Sequence, residues 1–374
     1  MISVALNSVV DFKKKSVKPE DIIDGTAYVG LEHITGDGSI SCEIVNNGEL
    51  ASNKFLFTDG HILYGKLRPY LSKTALPSFE GICSTDIIPL KPIESKISKE
   101  YLYYYLRTPF MVKYATVRCS GANLPRISPK EIEKFKIPLP PLDQQKKIAE
   151  ILDAADDYRQ KSKALITKYE ELTQSLFLNM FGDDSGTLTE LGAVIKLIGG
   201  GTPSKENEQF WNGDIPWASV KDLKSDRLVK TQDFITQLGV DNSTTKVIPM
   251  GSLIVATRMA VGRASICEMD VAINQDLKAV QIIGEVNIEY LLYLFQSKQH
   301  YFDSVSSGAT VKGIKIDHIT KLKIYLPDLS IQNKFADRVL AIEEQKAQAQ
   351  ASLAQAEDLF NSLLQRAFKG ELAA

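Results

Sequence analysis

A chain of 374 residues is too long for one ordinary hydrophobic core and suits two domains of roughly 150 residues with connecting elements. Its 44% hydrophobic and 24% charged residues are those of a soluble globular protein, and no stretch nears the roughly 18 apolar residues of a membrane span. The net charge of −2 excludes a uniformly cationic surface, but it is unevenly spread: residues 1–141 carry +3, 142–184 carry −3, 185–327 balance, and 328–374 carry −2.

A polyanionic partner needs only a locally positive face, so this balance permits nucleic acid without demanding it. The four cysteines (Cys42, Cys83, Cys119, Cys267) are scattered, which argues against a disulfide framework and a zinc site and fits a reducing cytoplasm. Residues 1–15 lack the basic start and apolar core of an export signal.

In chain order, the first block (1–141) is mixed and strand-rich. Gly60-His61-Ile62-Leu63-Tyr64 reads as a buried strand. It runs into Lys66-Leu67-Arg68-Pro69-Tyr70 and Lys73, a turn that can lay basic side chains on phosphates or guanine edges, or else stand as a solvated hairpin tip. Ser84-Thr85-Asp86 suits a strand cap or a polar contact, and residues 100–106 carry tyrosine and leucine at helical spacing. A loop follows with small and basic residues, Arg118 to Arg126. The prolines at 138, 140 and 141 mark a stiff boundary before a long helix over 142–184. Its apolar positions recur every seven residues: Ile148, Ala155, Ser162, Tyr169 and Leu176 in one register, and Ile151, Tyr158, Leu165 and Leu172 three residues on. Two such seams make a coiled-coil stripe, about 60 Å long for about 40 residues at 1.5 Å each.

The second block (185–327) opens on Ile198-Gly199-Gly200-Gly201-Thr202-Pro203-Ser204-Lys205. It lacks the Gly-Lys-[Ser/Thr] ending of a phosphate loop, and Pro203 removes a donor such a cradle needs; a turn near a helix junction, beside a nucleic-acid phosphate at Thr202 and Ser204, suits it better. The strand at 251–256 leads into Thr257-Arg258-Met259-Ala260-Val261-Gly262-Arg263. Asn274-Gln275-Asp276 could cap a strand or pair bidentately with adenine. Residues 288–295 read as a helix, and the loop at 306–315 brings Lys312 and Lys315. The last block (328–374) is a second long helix seamed by Phe335, Ile342, Ala349, Ala356 and Leu363, with Val339, Leu353 and Phe360 alongside.

The chain therefore repeats itself. At a shift of 187 residues Gly121 meets Gly308, Ile127 meets Ile314, the 135–140 strand meets 322–327, Gln145 meets Gln332, and Phe181 meets Phe368. Upstream the halves correspond only with gaps, so two drifting heads sit on two similar stems. Each stem needs a partner for its stripe, and the nearest is the other stem.

Catalytic apparatus is missing from this pattern. Base methylation would call for an Asn/Asp-Pro-Pro-aromatic element and a glycine-rich cofactor loop; a nuclease would need clustered carboxylates with a lysine. Neither is found, and the four histidines show no metal or triad spacing.

Two variable heads, each followed by a Leu-Pro-Pro-Leu-Asp-Gln-Gln-type junction and a long helix, resemble the specificity subunits of type I restriction–modification systems. So do Gly199 to Ser204, Trp211-Asn212-Gly213-Asp214-Ile215-Pro216-Trp217, Thr257-Arg258 with Gly262, and Ala272-Ile273-Asn274-Gln275-Asp276. The first head lacks the Gly-Gly-Thr-Pro opening and the Asn-Gln before Asp86. The resemblance implies an α+β chain whose two strand-rich target-recognition domains are separated by two helices packed as an antiparallel coiled coil with pseudo-twofold symmetry. It implies double-stranded DNA, two modification subunits and restriction subunits as partners. S-adenosylmethionine and ATP with Mg would lie on those partners, with no cofactor here. The DNA contacts expected are Lys66, Arg68, Lys73, Arg118 and Arg126 in the first head, and Thr202, Ser204, Arg258, Arg263, Asn274, Gln275, Lys312 and Lys315 in the second. Two other classes compete: a divergent methyltransferase or nuclease, and a coiled-coil scaffold without DNA contact.

Overall fold

The computed structural model describes residues 2–182, 186–308 and 310–372. The expected helix ends at 184 and 374, and Ala309 of the second basic loop, lie outside the described residues. The chain divides into two compact units, Met1–Lys163 with Gln350–Ala374, and Ala164–Ala349, so each unit takes part of both long helices.

In the first unit a four-stranded antiparallel sheet runs in the order Val10–Asp11, Ile87–Pro92, Ile62–Gly65, Thr74–Ala75. A five-stranded sheet follows the order Ser16–Val17, Lys54–Phe57, Gly81–Cys83, Thr26–Val29, Glu43–Val45; its central pair, Thr26–Val29 with Gly81–Cys83, is parallel. The strand Ile62–Gly65 is buried at every position, as its unbroken apolar run requires. A ribbon of Ser3–Ala5 on Lys136–Pro138 ties the chain start to the strand that enters the first long helix.

The second unit repeats the plan. Its five-stranded sheet is Ile195–Gly199, Leu277–Ile282, Leu253–Ala256, Ala264–Cys267, Arg227–Leu228, and its four-stranded sheet is Asp233–Ile235, Trp211–Ala218, Val271–Ile273, Val247–Ile248. The parallel pair recurs as Trp217 with Ala272 and Ala218 with Ile273, and the closing ribbon as Thr187–Glu190 on Lys323–Leu326.

Each unit's main core forms where a short helix meets the long ones. The helix Lys99–Leu106 starts at Ser98, whose hydroxyl accepts the Tyr101 amide at 3.3 Å. Its buried Tyr101, Tyr104 and Tyr105 donate their hydroxyls to Pro138 O (2.9 Å), Asp153 (2.6 Å) and Lys136 O (2.8 Å), so their rings enter the core with no polar atom stranded. Phe368 packs on Tyr101 and Tyr105 at 5.1 and 4.8 Å between ring centres. In the second unit the helix Ile288–Ser297 offers Tyr290 to Phe181 at 4.9 Å.

The long helices are Leu142–Phe181 and Leu329–Lys369. In the first unit Lys163 meets Glu357 at 3.7 Å, while Leu152, earlier on its helix, shares a core with Leu364, later on the other. In the second, Glu170 meets Lys346 at 3.1 Å and Phe177 meets Phe335 at 5.5 Å. Within each unit, then, the two helix segments pack antiparallel.

One sequence expectation is corrected here. The second seam of the first helix is not Ile151, Tyr158, Leu165 and Leu172, which are 39%, 52%, 42% and 49% exposed. The inward register lies four residues after the first seam, at Leu152, Arg159, Ile166, Thr173 and Met180, of which Leu152, Arg159 and Thr173 are buried. Polar Arg159 is accommodated by lying over the Phe360 ring at 4.5 Å and pairing with Asp156. The difference is measurable. Leu152→Ala is expected to cost about 2–5 kcal/mol in urea unfolding, whereas Ile151→Ala one position away should stay within about 0.5 kcal/mol; equal effects would restore the other register.

Candidate nucleic-acid interface

Two loops meet at the same place in each unit. In the first, the strand Ile62–Gly65 runs into residues 66–73, which face residues 118–126. Lys66 N–H donates to Asp86 O at 2.9 Å, Arg68 N–H to Pro125 O at 2.8 Å, and Ile127 N–H to Lys66 O at 3.0 Å, with Leu67 bridged to Arg126. In the second, Thr257 N–H donates to Asp276 O at 2.8 Å, Met259 N–H to Lys312 O at 2.9 Å, and Ile314 N–H to Thr257 O at 2.9 Å, with Arg258 bridged to Gly313. Arg68 and Met259, at matching positions, both adopt the left-handed conformation (φ 51° and 66°). The frame is thus main-chain bonding, repeated bond for bond.

The side chains on that frame differ. Arg126 grips Asp86 with two parallel bonds, Nε at 2.8 Å and an Nη at 2.9 Å, and Lys66 stands 3.7 Å from the same carboxylate. The hydrogen bond from Arg126, helped by its charge and that of Lys66, holds the Asp86 carboxyl below its ordinary range against the opposing pull of burial. In the second unit the equivalent acid, Asp276, is met at 3.4 Å by Arg258, whose side chain is 53% exposed. Leu67 matches Arg258 and Arg126 matches Gly313. The arginine has therefore changed strands across one bridge while keeping its aspartate.

The other expected contacts divide into free and occupied groups. Arg68 and Lys312 are exposed at the centre of their loops, and Lys315 stands exposed just before the helix Ile316–Thr320. Lys73 is turned inward to Leu31 O at 2.6 Å, and its counterpart Arg263 donates to Leu223 O at 3.1 Å. Arg118 lies over the Tyr114 ring at 3.9 Å and beside Glu131 at 3.9 Å. Asn274 is buried, its side-chain oxygen accepting the amides of Asp276 (3.1 Å) and Leu277 (3.2 Å); it holds the turn. Gln275 is exposed and its amide oxygen takes the Thr202 hydroxyl. Ser204 is exposed too, with its carbonyl engaged by Trp211 Nε1 at 3.0 Å.

The triple glycine has a packing role. A Cβ at Gly200 would lie 2.1 Å from Ile273 O, and one at Gly201 2.6 Å from Thr245 N. The segment thus seats directly under the turn that carries Asn274 and Gln275. Sequence reading missed the anchoring role of Asp86 and Asp276, though both stand at matching places in the repeat. Lys278, whose amine reaches Gln275 O at 2.6 Å, carries no motif that could have shown it.

Among the described residues no group of three or more His, Cys, Asp or Glu could hold a metal ion, and no helix is long and apolar enough to cross a membrane.

The chain is thus a two-module protein, with duplicated, differently dressed loops in two units that each take part of both long helices. The family model described as the type I restriction modification DNA specificity domain matches it twice, over residues 3–173 and 187–356. The chain belongs to that family. It is 28% identical over 263 residues to the EcoR124I/EcoR124II specificity subunit of Escherichia coli, covering 65% of this chain and 63% of that one. To the HindI specificity subunit of Haemophilus influenzae it is 20% identical, covering 92% and 94%. The match to the E. coli EcoDI specificity subunit, at 30% identity, spans 40% of that protein's length. Among solved structures, the type I system S subunit from M. genitalium superposes with a TM-score of 0.61 at 13% identity over 98% of this chain and 96% of that one, a likeness of fold.

Proposed function

We propose that this chain is the non-catalytic DNA-reading subunit of a type I restriction–modification complex. Each head reads one half of a split, asymmetric sequence, and the long helices fix the separation of the halves. Two modification subunits, bearing S-adenosylmethionine, dock on it, and restriction subunits using ATP and Mg join them in the cytoplasm. The observation that carries this reading is the repeated loop frame with unlike side chains. One frame presents Lys66, Arg68 and Arg126; the other presents Thr257, Arg258 and Lys312. A shared backbone with different polar groups is what two unlike half-sites require.

The test is co-purification with the modification subunits followed by mapping of methylated positions in genomic DNA. The expected result is a bipartite sequence with a set gap, and no methyl transfer by this chain alone. Binding that is weak and indifferent to salt would favour a plain scaffold, since phosphate contacts make affinity fall steeply with added salt. Adding one heptad to both helices is expected to lengthen the gap and leave both half-site sequences unchanged in a binding-site selection.

A further inference from the structure

Besides the acids that anchor the loops proposed to read DNA, each unit holds a second acid on a turn of its own. In the first unit the turn at residues 35–39 reaches the long helix. Its acid, Asp37, takes the Thr35 hydroxyl and the Ser39 amide (3.2 Å) on one oxygen and Lys163 (3.1 Å) on the other. Its carbonyl accepts from Arg107 and, at 3.4 Å, from Arg159. Both arginines are 8% exposed, and both are paired with Asp156. Gly38 (φ +91°) fits only because it has no side chain, since a Cβ there would lie 2.0 Å from the Tyr103 hydroxyl. Burial alone would push the Asp37 carboxyl up; the bonds from Thr35, Ser39 and Lys163 together outweigh it and hold the group well below the usual range.

The second unit has an acid at the corresponding position, held differently. The register that pairs Val29 with Ala218 and Tyr101 with Tyr290 carries Asp37 onto Asp226 and Arg107 onto Gln296; the helix repeat carries Arg159 onto Lys346. Gln296 donates to Asp226 at 2.8 Å and the Ile266 amide to its carbonyl at 2.8 Å, while Lys346 is spent on Glu170 at 3.1 Å and Glu343 at 3.8 Å. Here burial prevails and raises the carboxyl.

Asp37 thus ties its own turn to the end of the head's short helix through Arg107 and to the long helix through Lys163 and Arg159, which is more than a surface ion pair. We infer that Asp37 is an orientation latch: a positioning residue that locks the first head onto its helix segments and so fixes where its reading loops stand. The inference rests on the reading proposed above. A head freed of its latch keeps its loops, and so its half-site sequence, but rocks on the helix and accepts a wider range of gaps.

The experiment is binding-site selection with the full chain in complex with its modification subunits, on DNA libraries with a randomised gap, for wild type, Asp37→Ala and Lys163→Gln. Hydrogen exchange of residues 31–41 is followed alongside. The expected result is unchanged half-sites, several gap lengths in place of one, and exchange in residues 31–41 faster by roughly tenfold in both variants. Unchanged half-sites with an unchanged single gap overturn the latch and leave the DNA-reading proposal standing. If wild type itself selects no bipartite site, the DNA-reading proposal fails and takes the latch with it. Should Asp37→Ala not fold, Lys163→Gln decides alone: a single wild-type gap in that variant overturns the inference.

Discussion

Arg258→Ala is expected to weaken binding to a DNA carrying the cognate site by about 5- to 150-fold, equivalent to about 1–3 kcal/mol, and to erase discrimination at one or two base pairs of one half-site only. The argument is geometric. The Arg258 guanidinium is held at 3.4 Å from Asp276 by a single contact and is half exposed, so it is aimed by the acid yet keeps donors free for a base edge. Arg126→Ala is expected to do the same in the other half-site. Its bidentate grip on Asp86 at 2.8 and 2.9 Å leaves fewer donors free, so the loss should fall toward the lower end of that range. Affinities measured against single-base variants of both half-sites, at several salt concentrations, decide the matter. A loss uniform over all sequences, with a salt slope shallower by about one, would make either arginine a phosphate contact instead.

The largest stability effects are expected at the two junction glutamines. Gln145 is wholly buried at the start of the first long helix. Its oxygen accepts the Ser98 amide at 2.8 Å, and its nitrogen donates to Pro140 O at 2.8 Å and Lys96 O at 3.1 Å. Gln332 repeats this with the Asn287 amide at 2.9 Å and Pro327 O at 2.7 Å. One amide thus satisfies the head's short helix and the start of the long one together. Gln145→Met fills the space but leaves a buried N–H and two carbonyls without partners, at about 1–3 kcal/mol each. A total loss of about 3–5 kcal/mol is expected, read as a lower urea midpoint for the first unit. Gln332→Met should act on the second unit alone. A change under about 1 kcal/mol would mean that water enters the site and replaces the amide.

Much of this is legible in the sequence. The repeat, the two long helices and their starts follow from residues whose meaning is local: the prolines at 138, 140 and 141, the matched glutamines, and apolar residues at heptad spacing. The seam of the first helix is less legible, because counting apolar residues rewards Ile151, Tyr158, Leu165 and Leu172 and scores Arg159 and Thr173 as polar. The signal that corrects this count is present: shifted by 187, Val339, Leu353 and Phe360 fall on Leu152, Ile166 and Thr173. The basic loops are legible, but which of their side chains are spent internally is not. Lys73 reaches Leu31 and Arg107 reaches Asp37 across some 40 and 70 residues, and no local pattern encodes such a pairing. The acids Asp37 and Asp226 sit in plain polar turns and carry no motif at all.

Because the frame of the reading loops is tied by main-chain atoms, it is indifferent to what its side chains are. Leucine against arginine in one unit, and arginine against glycine in the other, hang from the same bridge without disturbing it. Letters can therefore be exchanged while the page stays fixed. New preferences can arise by small changes at these few positions, with no cost to the core beneath, and the two halves of the molecule are free to diverge in what they recognise.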